Sequence, residues 1–281
     1  GSACARYTYE YPGIAGVGHF IHTYACDGVI VRNVDVCSHI HNSDGIDLEM
    51  TKNALVEGCT LCQGDDAICV KAGKNVDGRK VGMVSENIEI RNCTVKAGHQ
   101  LLAVGSEVSA GVRNVHLHDC HVIGSVFNAL FIKTNLERGG FVENIRMERV
   151  RAEHLEGALV AISADTSYGQ SNLCGETVRT RICDIRVSDV HAREAERRLS
   201  LIGDPAARVQ GVAISNATVE TPCPRPDIVE NVDGFLDEMS DAPLRRGKVE
   251  SDGGDARNCR GVFPSARNSA NAPGDYEKNA V

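Results

Sequence analysis

The chain has 281 residues, 42% hydrophobic and 24% charged, enough apolar material to bury a core as one large domain or two small ones, which excludes disorder throughout. Its formal charge of −8, from 38 acidic and 30 basic residues, excludes a broad nucleic-acid footprint, which relies on basic patches to displace counterions. No apolar run reaches the roughly 20 residues that span a bilayer, and Gly1 to Tyr11 lacks the basic-then-apolar pattern of an export signal.

With 28 glycines, 4% aromatic residues and no tryptophan, the composition predicts many turns and few helices. Self-comparison along the chain finds seven copies of a short strand in which apolar residues alternate with polar ones. They are Asp27–Val34, Lys52–Cys59, Glu86–Cys93, Arg113–Cys120, Glu143–Val150, Cys183–Val190 and Gln210–Ala217, and their last residues are separated by 25, 34, 27, 30, 40 and 27 positions. Such steps fit a solenoid with insertions. The units lack the leucine and asparagine frame of a leucine-rich repeat and the 3.6-residue spacing of helical repeats, and they carry Asn or Asp at the turn. An all-β parallel β-helix fits best.

In such a coil a given position stacks on itself about every 4.8 Å. Cys59, Cys93 and Cys120 are therefore expected to form an inward ladder beside Val34 and Val150. Because that position also accepts valine and alanine, most of the 12 cysteines read as reduced core residues rather than disulfide partners. A second strand series lies between the copies: Gly45–Met50, Asp66–Lys71, Gln100–Gly105, Ala129–Lys133 and Ala158–Ile162. Equivalent points of this series must line up in one column on one sheet. The first recognisable rung begins near Gly28, which suggests that amino-terminal coils are missing, since an uncapped solenoid exposes a strand edge. Asp227 to Leu236 reads as a last partial coil. The expected organisation is a single β-helix domain over residues 1–246 and a loose polar tail over 247–281, where periodicity is lost.

At the start of successive strands of the second series stand Asn42-Ser43-Asp44-Gly45, Gly64-Asp65-Asp66 and Gly98-His99, with Lys133 in the next copy. Coiling is expected to gather Asp44, Asp65, Asp66, His99 and Lys133 into one patch. Crowded carboxylates cannot all ionise normally, so one is held protonated beside ionised neighbours. That division of labour is what glycoside hydrolysis requires: one carboxylic acid protonates the leaving oxygen while a carboxylate activates water or attacks directly. Each cluster alone would be ordinary turn chemistry. The conjunction of different chemical types at one point of consecutive coils is what singles them out.

Taken in order, Asn42-Ser43-Asp44-Gly45, Gly64-Asp65-Asp66, Gly98-His99 followed by Val104-Gly105-Ser106-Glu107, and Ile132-Lys133 resemble the polygalacturonases of glycoside hydrolase family 28. The resemblance runs from about His19 to Gly169 and includes the stretches Ser106 to Asn114 and Arg138 to Asn144. It implies a right-handed parallel β-helix, inverting hydrolysis of α-linked galacturonate in pectin without a cofactor or metal, and a secreted or periplasmic location. By position, Asp65 is implied as the general acid and Asp44 and Asp66 as the holders of the water. His99 is implied to support the acid, and Lys133 to grip a substrate carboxylate, with Asn42 and Tyr168 also on the substrate-binding side.

Three departures follow. Ser43 replaces the threonine of the family's Asn-Thr-Asp and keeps a hydroxyl. Gln100 replaces the second glycine of Gly-His-Gly and is expected to put a side chain where the family leaves room. Phe131 replaces the arginine of Arg-Ile-Lys, removing a bidentate carboxylate partner and offering an apolar or stacking surface instead. A neutral or mixed pectic substrate, such as a rhamnogalacturonan-type chain, then fits as well as galacturonan, and exo action as well as endo.

Other groups have plainer readings. His116, His118 and His121 near Asp119 resemble metal ligands by composition, but alternation turns the first two outward on a flat strand. Cys59 and Cys62 lack a second pair at ligand spacing and read as core. Lys71, Lys74, Arg79 and Lys80 form either a basic rim or a solvated loop. Two further functions stand beside the hydrolase: a β-helical polysaccharide lyase, disfavoured because the polar column holds no arginine base, and a carbohydrate-binding β-helix with weakened catalysis. The partner expected in each case is a pectic polysaccharide or oligosaccharide, with no nucleic acid or membrane partner, and the protein is expected to be a monomer.

Overall fold

The computed structural model describes residues 6–8, 19–166 and 177–238. Tyr168 and the segment 247–281 lie outside the described residues. Short strands β1 (Arg6–Thr8) and β2 (Ile21–Tyr24) come first. The coils then follow as triplets: β3 (Ile30–Arg32), β4 (Asp35–His41) and β5 (Ile46–Glu49); β6 (Lys52–Glu57), β7 (Thr60–Gly64) and β8 (Ile68–Lys71); β9 (Ser85–Arg91), β10 (Thr94–Ala97) and β11 (Gln100–Val104); β12 (Val112–His118), β13 (His121–Val126) and β14 (Asn128–Lys133). In the next two coils the strand runs unbroken round both corners, as β15 (Phe141–Ser163) and β16 (Arg181–Ile202). The last turns are β17 (Val209–Val219), β18 (Ile228–Glu230) and β19 (Val232–Asp237). Every strand pair is parallel, and each strand pairs with its equivalent in the adjacent coil. The fold is a right-handed parallel β-helix.

The coil has three faces, one more strand per rung than the repeats display. The seven repeat copies build the first face, the second strand series builds the third, and β4, β7, β10 and β13 form the intervening face. The winding also starts before Gly28, because β1 pairs with β4 and β2 with β5. At the other end β18 and β19 continue it across the expected partial coil.

Alternation places one residue in two inside each face. On the first face Val31, Val56, Ile90, Leu117, Met147, Val187 and Ile214 are successive register partners and all buried. Fully burying one such side chain contributes roughly 1.5–3 kcal/mol. Cys59, Cys93 and Cys120 are buried beside them, as the ladder reading requires, and among the described residues Cys69 and Cys183 are also buried. His116 and His118 alternate with buried Val115 and Leu117 and lie against the carboxylates Glu148 and Glu89.

Corners are made by residues that tolerate left-handed backbone. Asn33, Asn92, Asp119, Asp189 and Asn216, each just before the last residue of a copy, have φ between 47° and 55°, a region Asn and Asp enter more readily than most side chains. The 34-residue step contains helix α1 (Asn75–Val81), fixed by Arg79, which donates to the carbonyls of Glu137 and Arg138. The buried Arg138 guanidinium in turn donates to the carbonyl of Ser106. No helix among the described residues is long and apolar enough to cross a membrane.

Candidate active site

The third face carries the polar column. Ile46 and Leu48 of β5, Ile68 and Val70 of β8, Leu102 and Val104 of β11, and Leu130 and Ile132 of β14 join the hydrophobic core. Their alternates Asp47, Cys69, Ala103 and Phe131 therefore form one register row on the outer side, with Ala161 next. Lys71 and Lys133 lie two residues further along their strands on the same side.

Just before these strands, backbone ladders stack the catalytic candidates. Gly45 N donates to the Asp66 carbonyl at 2.9 Å, His99 N to the Asp65 carbonyl at 2.7 Å, and Phe127 N to the His99 carbonyl at 2.6 Å. Asp65, His99 and Phe127 thus occupy one position of three consecutive coils. The glycine before the paired aspartates is required by close approach: a Cβ on Gly64 would lie 2.0 Å from the Ile40 carbonyl oxygen.

The side chains interlock. The Lys71 ammonium donates to Asp44 Oδ2 at 2.9 Å and Asp47 Oδ2 at 2.7 Å, and His19 Nδ1 lies 3.2 and 3.3 Å from the same oxygens. Lys133 Nζ donates to Asp66 Oδ2 at 2.8 Å, and His99 Nδ1 lies 2.9 Å from Asp65 Oδ1. Asp66 N donates to Asp44 Oδ1 at 3.3 Å, tying the two coils together. The Asp65 side chain is 19% exposed, against 7% for Asp44 and 3% for Asp66. Asp66 Oδ1 is buried with no hydrogen-bond donor from the described residues, and such an acceptor is costly unless something donates to it.

The environment separates the carboxyls electrostatically. Burial acts to raise Asp44, but the hydrogen bond from His19 and the charge of Lys71 outweigh it and hold Asp44 well below the usual carboxylate range. Burial lifts Asp47 to about 7 despite the same lysine, with the Asp44 charge adding to the rise. Burial also pushes Asp66 upward against the opposing charge of Lys133. The carboxyls driven toward protonation are thus the buried Asp47 and Asp66.

Among the described residues, three groups have ligand atoms within 4.8 Å of one another: His19, Asp44 and Asp47; Asp44, Asp66 and Cys69; Asp65, Asp66 and His99. In all three groups a lysine ammonium already rests on a carboxylate oxygen, supplying positive charge that a metal ion would bring.

A family model, Glycosyl hydrolases family 28, matches residues 18–240. The chain belongs to this family. Curated relatives include a probable polygalacturonase of Vitis vinifera, 26% identical over 202 residues, which cover 71% of this chain and 41% of that protein. An endo-polygalacturonase of Pectobacterium carotovorum subsp. carotovorum is 32% identical over 131 residues, covering 47% of this chain and 30% of the relative. Among solved structures, a hyperthermoactive exopolygalacturonase from Thermotoga maritima superposes with a TM-score of 0.70 and 30% identity, covering 78% of this chain and 49% of that one. The chain therefore spans half or less of the length of these relatives.

Within this family 28 chain the coil brings Asp44, Asp65, Asp66, His99 and Lys133 to one place. Lys133 rests on Asp66 rather than standing alone for a substrate carboxylate. Asn42 is exposed at the turn before Asp44, with φ of 58°. Gln100 is not where the substitution for glycine suggested. Its side chain is buried, and its Oε1 accepts from the backbone N and Nδ2 of Asn128 at 3.1 and 2.7 Å. It is one rung of an amide ladder continued by Asn128 Oδ1, which accepts from Ala158 N at 2.8 Å. Sequence reasoning missed Asp47 and His19 and left Lys71 between a rim and a loop. The available signal was alternation: Asp47 sits between two core residues, and Lys71 shares a strand side with Cys69.

Proposed function

We propose that this chain carries the catalytic centre of an inverting glycoside hydrolase that cleaves α-linked galacturonate bonds in pectic polysaccharide. The observation that carries the reading is the gathering of Asp44 from one coil corner and Asp65 and Asp66 from the next into one electrostatically divided group. Asp65, the most exposed of the three and paired with His99, is placed to protonate the leaving glycosidic oxygen. Asp44, held ionised by His19 and Lys71, is suited to activate the attacking water, and Asp66, which burial pushes upward and whose Oδ1 takes no donor from the described residues, is suited to hold that water beside it. Lys133 keeps Asp66 oriented and limits its protonation. A polymeric substrate of this kind implies action outside the cytoplasm, in a secreted or periplasmic setting.

The close approach of Asp65 and Asp66, with ligand atoms within 4.8 Å, gives a second reading its footing. Acid and base of inverting enzymes commonly stand about 6.5–9.5 Å apart, and those of retaining enzymes about 5–5.5 Å. Inversion remains the better reading because Asp66 is pinned by Lys133 and buried below the surface that Asp65 reaches, so it is poorly placed to attack an anomeric carbon. Product analysis decides. Reducing ends without unsaturated products support hydrolysis, and unsaturated products support elimination by a lyase. Proton NMR of the first product should show the β-anomer from the α-linked substrate. An initial α-anomer would replace inversion by a covalent route.

A further inference from the structure

We propose that Phe127 and Phe131 form an aromatic subsite beside the acid, which seats an uncharged sugar unit of the pectic chain in preference to a free galacturonate. This deepens the hydrolase reading and rests on it.

The two rings belong to one coil, the one after His99. Phe127 is 47% exposed, and its ring stands edge-on to His99, with centroids 6.1 Å apart and an interplanar angle of 83°. His99 is bound in turn to Asp65. Phe131 shares the outer side of β14 with Lys133, whose ammonium lies 5.8 Å from the ring centroid. Its register neighbours are Ala103 and Ala161, and Phe127 is followed on the next coil by Gly157, whose N donates to the Phe127 carbonyl at 2.8 Å. Small residues thus flank Phe131 on both sides and Phe127 on the side away from His99, and the rings are the largest apolar surfaces in their rows.

Charge points the same way. The site holds four carboxyl groups, Asp44, Asp47, Asp65 and Asp66, and both of its lysines already rest on them. The strand segments 44–49, 65–71, 99–105 and 127–133 contain no arginine. A free carboxylate placed over the phenylalanines would leave water for an apolar surface beside an acidic cluster, at a desolvation cost that Lys133, already resting on Asp66, repays only in part. A sugar that presents its C–H face, a methyl ester or the methyl group of a deoxysugar loses no charge solvation and gains contact with the rings.

The test uses the full chain and three polymers: de-esterified galacturonan, methyl-esterified galacturonan, and a galacturonan alternating with a neutral deoxysugar. Reducing-end release gives kcat and KM, and affinity electrophoresis in gels containing each polymer gives binding independently of turnover. The expected result is higher kcat/KM and stronger retention on one or both of the partly uncharged polymers, and which of them is preferred identifies the group bound. Phe131→Arg should shift preference toward the de-esterified polymer by about tenfold. Phe127→Ala should raise KM on the preferred polymer about threefold to tenfold, with a smaller change in kcat. Preference of the unaltered protein for de-esterified galacturonan in both assays overturns the inference, as does an unchanged preference in Phe131→Arg or an absence of retention on every polymer. If no polymer releases reducing ends, the hydrolase reading fails, while the order of retention still decides the subsite.

Discussion

Two corners of the same coil use polar side chains in opposite ways. On the first face, Asn53, Asn87, Asn114 and Asn144 repeat one residue type in successive turns, and each amide donates to the carbonyl oxygen of the one before at 2.8–3.0 Å. All four have left-handed φ, so this ladder makes a bend and satisfies itself. At the start of the third face the equivalent positions change type with every turn, from Asp65 to His99 to Phe127. Identical neighbours satisfy one another and leave little for a ligand, whereas unlike neighbours polarise and orient one another. In a solenoid, chemistry is therefore to be sought where a stacked column stops repeating.

The largest expected contrast comes from the acid. Asp65→Asn keeps the shape and the carbonyl acceptor for His99 but cannot donate the proton in the same way. Hydrolysis should fall by about 10²–10⁴-fold, with the thermal midpoint little changed. Full turnover in this variant would remove Asp65 from the acid role.

Lys71 ranks next. Lys71→Met removes the ammonium that, with His19, holds Asp44 ionised. Asp44 then titrates at higher pH, so the acidic limb of the kcat/KM profile should move upward and kcat should fall by about 10–100-fold. Lys71→Arg should restore most of the profile. Equal loss in both variants with no shift of the limb would mark Lys71 as a packing residue instead.

Asp47 links the site to stability. Its carboxyl is raised to about 7 in the folded chain, against about 3.9 when unfolded. The stability this group contributes is complete below the unfolded value and is lost as pH rises through about 7. Denaturant titrations from pH 4 to pH 8 should therefore show the unaltered protein losing stability relative to Asp47→Asn, by on the order of 1–3 kcal/mol across the window. Parallel curves would mean that Lys71 keeps Asp47 ionised throughout.

The smallest effect belongs to the repeating ladder. Asn87→Ala breaks two amide contacts and strains a left-handed residue, at an expected cost of about 1–2 kcal/mol of stability. Its kcat/KM should match that of the unaltered protein when assayed well below the unfolding temperature. A loss of activity without a loss of stability would break the distinction between the two corners.

Much of this molecule was legible before folding. The seven copies, their register and the inward cysteines follow from alternation and a period, which are properties of a single line of text. Asp44, Asp65, Asp66 and His99 were legible because they stand in the turns just before apolar strands of one series. The middle face was not, because β4, β7 and β10 are interrupted by register shifts, which blur their alternation. Asp47 was not legible, because its partners Lys71 and His19, 24 and 28 positions away, meet it only across coils. Gln100 was misplaced because a side chain at a strand start can turn either way, and the Asn128 amide on the next coil draws it inward.

The sequence by itself determined that the chain winds, since a periodic apolar pattern can bury itself only by stacking like on like. It could not determine which charges meet, because partners one coil apart are separated by insertions of unequal length and their distances arise only when the coils close. The pairing of Lys71 with Asp44 and Asp47, of Lys133 with Asp66, and the resulting separation of the carboxyls were decided by tertiary structure, through burial and contacts across coils.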